Sequence, residues 1–250
     1  MRTFELRPMS VGEILDGAVT LYRMSFTTLV SIAIVCLGIP TALRVFVALA
    51  GQPFGLLEFI SLLLWSFGSL VSSAGTLWVI SETYLGRQAS VGESLRFALS
   101  KLVPLFLAGL AVGIIVMLGL VLLIVPGIIA ACGYAVVSQA VVLEGVGADV
   151  ALKRSWQLTS GFKWKVFGLG CVAFLLLFLP ALMFGFIAGS LPGGDNTASV
   201  IGDFVSLIIT PLFTCAITLL YYDLRVRKEA FDLEMLSQQL TGSWPAAAAT

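Results

Sequence analysis

Between Lys101 and Glu144 the chain, from 102 to 143, carries not one charged side chain. A helix needs ~20 apolar residues to cross the ~30 Å hydrocarbon layer of a bilayer, so this run is long enough to cross twice. Pro126-Gly127, a little past its middle, predicts the turn between the two crossings. No other feature narrows the fold so far. Backbone amides in lipid must be satisfied within the segment, which leaves helices for such apolar runs.

Three further charge gaps are of spanning length. They cover 59–81, 166–194 and 204–222, and a first span from about Phe26 to Ala50 is interrupted only by Arg44. The expected fold is therefore all-α and integral to a membrane, with six transmembrane helices. Composition agrees: 11% of residues are charged, against about 25% in an ordinary soluble domain.

The net charge is zero, but the cations are unevenly placed. Loops on the cytoplasmic side of membrane proteins are enriched in Lys and Arg. With the N-terminus inside, 13 of the 14 cations lie before the first span, between spans two and three, between four and five, or after the sixth. Only Arg44 falls near the opposite face. Both termini are thus expected in the cytoplasm. The ALAG run at Ala48–Gly51 has the form of a signal-peptidase site, but the apolar stretch before it exceeds the ~7 to 15 residues of a signal peptide, so the first span is expected to be retained.

Some chemistry is excluded at this stage. The chain has no His, which removes imidazole acid/base catalysis and imidazole metal ligation. Cys36, Cys132, Cys171 and Cys215 fall in four different spans with no close spacing, as suits small apolar residues rather than a disulfide or metal set. An intramembrane enzyme would need a cluster of nucleophile, base and metal ligands, and none is visible. We expect no cofactor, no metal and no nucleic-acid partner.

The letters SVGE occur at Ser10–Glu13 and again at Ser90–Glu93. Ser followed three residues later by Glu is a capping box, which starts a helix by pairing two otherwise orphaned amides. Each box is followed by apolar residues at helical spacing: Val11, Ile14, Leu15, Ala18 and Tyr22 after the first, and Val91, Leu95, Ala98, Leu99 and Leu102 after the second. A third stretch, 147–167, lacks the box, has Asp149 as its nearest substitute, and carries the weaker stripe Leu152, Ser155, Trp156 and Thr159. The chain thus divides into three tandem units of interfacial amphipathic helix plus transmembrane hairpin, at 10–84, 90–144 and 147–222. A cytoplasmic C-terminal helix is expected over 223–236, within a single membrane domain of 1–236, and 237–250 is expected to be a disordered tail. Each unit begins and ends inside, so the repeats are parallel, whereas many transporters use inverted ones.

Four stretches, RPMSVGEILDGAVTLYRMSF, VPGIIAACGYAVVSQAVVLEG, ALKRSWQLTSGFKWKVFGL and LLYYDLRVRKEAFDLEML, together resemble a bacterial six-span membrane-domain family. It is the membrane domain attached to some glycerophosphodiester phosphodiesterases, which also occurs alone. The phosphodiesterase activity of that family belongs to a separate soluble domain with metal, carboxylates and histidines, and this chain has no room for it. The resemblance implies a membrane module that handles or senses lipid head groups.

Four charged residues lie close to or within the spans. Arg44 and Glu58 bracket the first external loop, and a charge at mid-membrane costs on the order of 2.5 to 3.5 kcal/mol. Both sit near span ends, which favours a structural pair or snorkelling anchors over substrate contacts. Glu82 and Glu144 end spans two and four at the inner face, where they either cap the basic helices with Arg87, Lys153 and Arg154 as partners or face a shared cavity and bind a cation or relay protons. Around them, Lys153, Arg154, Trp156, Tyr222, Arg225, Arg227 and Lys228 are the candidate contacts for anionic lipid or for a protein partner. Small-residue pairs Gly109/Gly113 and Gly185/Gly189 predict close helix packing within the chain. Pro40 and Pro180 interrupt spans one and five, and LPGGDNTAS (191–199) reads as a loop. The expected function is the binding or movement of a small or lipidic substrate without catalysis; the alternative is a scaffold that recruits a partner through its cytoplasmic helices.

Overall fold

In the computed structural model both SVGE segments form the expected cap. Ser10 N–H donates to Glu13 Oε2 at 2.7 Å and Glu13 N–H returns to Ser10 Oγ at 3.3 Å; the Ser90/Glu93 box repeats this, with both distances 3.2 Å. The third copy starts on Gly147, with no side chain capping it. The structure describes residues 8–49, 55–84, 87, 89–189 and 194–229; of 194–208 and of several positions beyond 172 only the backbone is described.

All regular structure among these residues is helical. The order is α1 (Val11–Leu49), α2 (Leu56–Tyr84), α3 (Val91–Ser100), α4 (Leu102–Leu122), α5 (Ile124–Gly133), a short α6 (Val137–Gln139) running into a π-helical turn (Ala140–Glu144), α7 (Ala148–Thr159), α8 (Lys163–Gly189) and α9 (Gly194–Glu229). Four segments among the described residues are long and apolar enough to cross a bilayer: Val11–Val47, Leu56–Tyr84, Leu102–Leu122 and Ile124–Glu144. The stretches expected as spans five and six lie in α8 and α9.

The joint between each of the three expected leading stretches, 10–26, 90–106 and 147–167, and the helix that follows it differs. In the second, Lys101 breaks the helix, because Pro104 has no N–H to return to Ser100. In the third, Gly161 adopts φ 86°, a conformation that glycine alone takes cheaply, and separates α7 from α8. The first copy has neither device between Tyr22 and Thr27, and α1 runs on as one helix of 39 residues. The separate interfacial helix expected over 10–26 is therefore the first part of the span helix itself. For the same reason α9 continues past Tyr222 to Glu229 with no separate helix starting at 223; 230–236 and the tail lie outside the described residues.

The α4–α5 turn falls at Leu123, whose extended backbone (φ −163°, ψ 143°) is the whole connection. This is three residues earlier than expected. Pro126 sits in the first turn of α5, where no N–H is needed, so it starts that helix and does not end the previous one. Likewise, of the loop expected at 191–199, Gly194–Ser199 already belongs to α9.

The core lies at one end of the bundle. Ile14, Leu21, Leu29 and Ile32 of α1 meet Ile80 of α2, Leu169 of α8, and Leu219, Leu220, Tyr221 and Leu224 of α9, all at most 1% exposed. At the other end side chains face outward, and Val121 and Leu122 are each 77% exposed. Exposed leucine carries no penalty against lipid tails, which are as apolar as the side chain.

Candidate functional site

The charged end of the bundle is held by two ion clusters. In the first, Glu144 at the end of the π-helical turn receives Arg154 Nε on both carboxylate oxygens at 2.9 Å and the Tyr221 hydroxyl at 2.7 Å. Arg154 also pairs with Glu229, which in turn holds Arg225 at 3.1 Å. Burial alone would lower the Arg154 pKa, but hydrogen bonds to Glu229 and Glu144 outweigh it and raise it. Burial alone would raise the Glu229 carboxyl, but Arg154 and Arg225 hold it below its ordinary 4.5.

In the second cluster the wholly buried Asp223 accepts from Lys165 Nζ at 2.5 Å, Arg227 Nε at 3.0 Å and the Met9 N–H at 2.7 Å. Lys165 and Arg227 also donate to the Met9 carbonyl, so the segment leading into α1 is gripped by α8 and α9. Every charge in the two clusters has a partner. They join the segment before α1, the π-helical turn, α7, α8 and α9.

Several expected site residues thus turn inward. Arg154, Arg225 and Arg227 each make an ion pair within the chain. Tyr222, expected in an interfacial belt, is 5% exposed; its ring stacks on Tyr84 at 4.7 Å and its hydroxyl meets Ser81 Oγ at 2.9 Å. It lies on the face of α9 that packs against α1 and α2. Glu82 pairs with the exposed Arg87 at 3.8 Å. Lys153 is exposed, Lys228 is exposed near the Phe162 ring, and Trp156 is 38% exposed beneath Lys163 Nζ, which stands 3.7 Å above its ring.

The polar stripe on α7 also has an inward use. Ser155 and Thr159 donate to the Gly133 carbonyl at 2.9 and 3.1 Å, and Ser155 Oγ accepts the Val136 N–H at 3.3 Å. These are the backbone groups orphaned where α5 breaks, and a buried orphan costs ~1–3 kcal/mol. Trp156 lies so close to Gly133 that a β-carbon there would stand 2.3 Å from its ring.

Among the described residues no ion pair between Arg44 and Glu58 is seen. The described contact of Arg44 is with Trp65, its guanidinium carbon 6.0 Å from the ring centroid. The backbone carbonyl of Glu58 accepts from Ser61. Gly109 and Gly113, expected to seat a neighbouring helix, have nothing within 4 Å of where a β-carbon would lie. Gly185, Gly189 and Pro180 lie outside the described side chains.

A feature absent from the sequence expectations appears halfway along α2. Between α2 and α4 is a groove of about 330 Å³ lined by Ser66, Phe67, Ser69 and Ser73 on one side and Phe106 and Gly109 on the other. The Phe67 and Phe106 rings are near-parallel, their centroids 6.3 Å apart. On the adjoining face of α2 a second cavity, about 120 Å³, opens between α1, α2 and α9. Its walls carry Ser69, Ser72, Ser73 and Thr76 from α2, and Thr210 and Thr214 from α9, beside Pro211. The groove and the cavity share Ser69 and Ser73. Neither is lined by Arg44, Glu58, Glu82 or Glu144.

The hydroxyl-rich run WSFGSLVSSAGT (65–76) is the signal that points there, together with Pro211 inside α9. Serine is cheap in a membrane helix when it donates to its own backbone, as Ser66, Ser69 and Ser73 do at 2.7–2.8 Å. No family model, curated protein or solved structure matches this chain.

Proposed function

We propose that the chain is a six-span protein of a bacterial cytoplasmic membrane, with both termini inside, that binds a lipidic ligand laterally in the cleft between α2 and α4. It has no catalytic chemistry of its own in this reading. The observation that carries it is the groove itself. It is about 330 Å³ in volume, mostly apolar, and lies beside exposed serine hydroxyls at the middle of a helix long enough to cross the bilayer. A site at that depth is reached from lipid, so its ligand arrives through the membrane. Two aromatic rings and a strip without side chains at Gly109 suit a hydrocarbon chain.

The ion clusters support a static role for the charged end. Glu144 is fully engaged by Arg154 and Tyr221, which argues against a carboxylate relay at that face. Lys153, Lys228 and the Lys163–Trp156 pair remain at the surface, where cations attract anionic head groups by about 1 kcal/mol each. The distribution of cations supports the orientation with both termini inside, and the resemblance to a membrane domain that handles or senses lipid head groups supports a lipidic ligand.

The test is purification of the intact protein in mild detergent and native mass spectrometry of bound lipid. Gly109→Phe places a ring in open space within the groove and should remove the lipid without unfolding the protein. Retention of the same lipid by this variant, or no lipid on the parent protein, would overturn the reading.

A further inference from the structure

Ser72 and Thr76 are 7% and 2% exposed and line the 120 Å³ cavity, yet neither has a hydrogen-bond partner among the described residues. Both residues line the cavity, and neither oxygen is among the fully enclosed, unpartnered ones, so both hydroxyls are open to bond a molecule lodged there. The other oxygens there have a definite character. Ser69, Ser73 and Thr214 give their protons to carbonyls of their own helices at 2.7–3.0 Å and offer lone pairs. Pro211 has no N–H, so the carbonyl one turn earlier in α9 loses its usual donor. The cavity is richer in acceptors than in donors. No charged side chain lines it among the described residues.

We propose that this cavity receives the head of a neutral lipid bearing hydroxyl groups, whose hydrocarbon chain lies in the α2–α4 groove. The proposal rests on the lipid-binding reading above and names the ligand class. Ser69 and Ser73 belong to both walls, so a molecule crossing that edge of α2 fills both spaces. The head must be small, since 120 Å³ is about four times the ~30 Å³ share of one liquid water. It must be uncharged, because an ionised group buried without a counter-charge is far costlier than a neutral one. It must donate as well as accept: an ester or ether head would leave the lone pairs of Ser69, Ser73 and Thr214 without a donor.

Three probes with the same chain separate these demands. In dodecyl maltoside, 1-monooleoylglycerol, methyl oleate and oleic acid are titrated onto the intact protein and bound fractions read by native mass spectrometry. Monooleoylglycerol is expected to bind about tenfold more tightly than the other two, the equivalent of about 1.4 kcal/mol and of one to two net hydrogen bonds. Ser72→Ala with Thr76→Val should erase that preference while leaving methyl oleate binding unchanged, and Thr76→Ser should keep it. Equal binding of all three probes, or a preference that survives the double substitution, overturns the head-group assignment. If Gly109→Phe still abolishes binding in that case, the groove reading stands alone; if none of the probes binds, both fall.

Discussion

The Lys165 ammonium stands 2.5 Å from Asp223 Oδ2, joining α8 to α9 around a carboxylate with no exposed surface. Asp223 is also held by Arg227 and by the Met9 N–H, so three parts of the chain meet on one side chain. Removing one partner of a buried ion pair is costly because it strands the other charge, by ~3–5 kcal/mol. Asp223→Asn preserves shape and an acceptor for Met9 but strands Lys165 and Arg227. We expect a loss of that size in denaturant or thermal unfolding of the detergent-solubilised protein. A variant as stable as the parent would show that the cluster contributes nothing net.

The Arg154–Glu229 pair predicts how the charged end responds to acid. Arg154 and Arg225 hold the Glu229 carboxyl below its ordinary 4.5 in the folded protein. A carboxyl with a depressed folded pKa contributes stability that is fully present above its unfolded value and is lost as pH falls through the folded one. Melting temperature should therefore hold steady from neutrality to about pH 5 and decline below about 4.5. Arg154→Met removes the main partner, so its melting temperature should be lower at neutral pH and should show a shallower acid decline. A parallel pH profile in the variant would mean that other groups set the response.

The capping boxes allow a third prediction, which separates a structural signature from a functional one. Glu93 reaches back to Ser90 N–H and Oγ, and those hydrogen bonds lower its pKa, but the carboxylate itself faces solvent. Gln keeps a side-chain acceptor for the same amide. Glu93→Gln should leave lipid retention unchanged and barely shift the melting temperature. Loss of lipid from a folded Glu93→Gln protein would show that SVGE does more than start a helix.

Much of the helical layout was legible because charge and chain length control it. Lys101 and Glu144 delimit an apolar stretch that had to become two helices, and SVGE at Ser10 and Ser90 marks two helix starts. What was missed depends on local backbone chemistry and on partners distant in sequence. The turn at Leu123 lies ahead of Pro126 because proline is tolerated at the start of a helix. Tyr222 reads as interfacial from its neighbours in the chain but is buried by Tyr84 and Ser81, well over a hundred residues away. The hydroxyl-lined cavity was illegible for a different reason. Serine and threonine occur in membrane helices for many purposes, and only the meeting of α1, α2 and α9 distinguishes Ser72 and Thr76 from Ser66.

Pro40 gives a fourth prediction. It removes the amide that would pair with the Cys36 carbonyl one turn earlier in α1. That carbonyl oxygen faces α2 at Gly68, where a β-carbon would lie 2.4 Å from it. Glycine is required here for close approach, since its Cα–H can rest against the oxygen. Gly68→Ala forces backbone against backbone and should cost ~1–3 kcal/mol, the range for overpacking a fitted interface. Unchanged thermal stability of Gly68→Ala would place the two helices further apart than described.

The last prediction sets two glycine pairs against each other. Gly109 and Gly113 have the four-residue spacing associated with helix contacts, yet both face open space. Gly119 and Gly127 carry no such motif. Across the Leu123 turn, however, a β-carbon on Gly119 would stand 2.9 Å from the Gly127 Cα, and one on Gly127 would stand 2.7 Å from the Leu120 backbone nitrogen. At Gly119 the obstacle is backbone; at Gly127 it is the Leu120 side chain, with Cγ and Cδ2 at 2.5 Å, backed by that backbone nitrogen, which cannot swing aside. Gly127→Ala should therefore separate α4 from α5 and lower thermal stability by ~1–3 kcal/mol. Gly113→Ala should be neutral or slightly stabilising, because alanine exceeds glycine by up to ~1 kcal/mol within a helix. If Gly113→Ala proved the more damaging of the two, α4 would have to pack against a second surface through that stripe, and cross-linking of intact protein in membranes would reveal it.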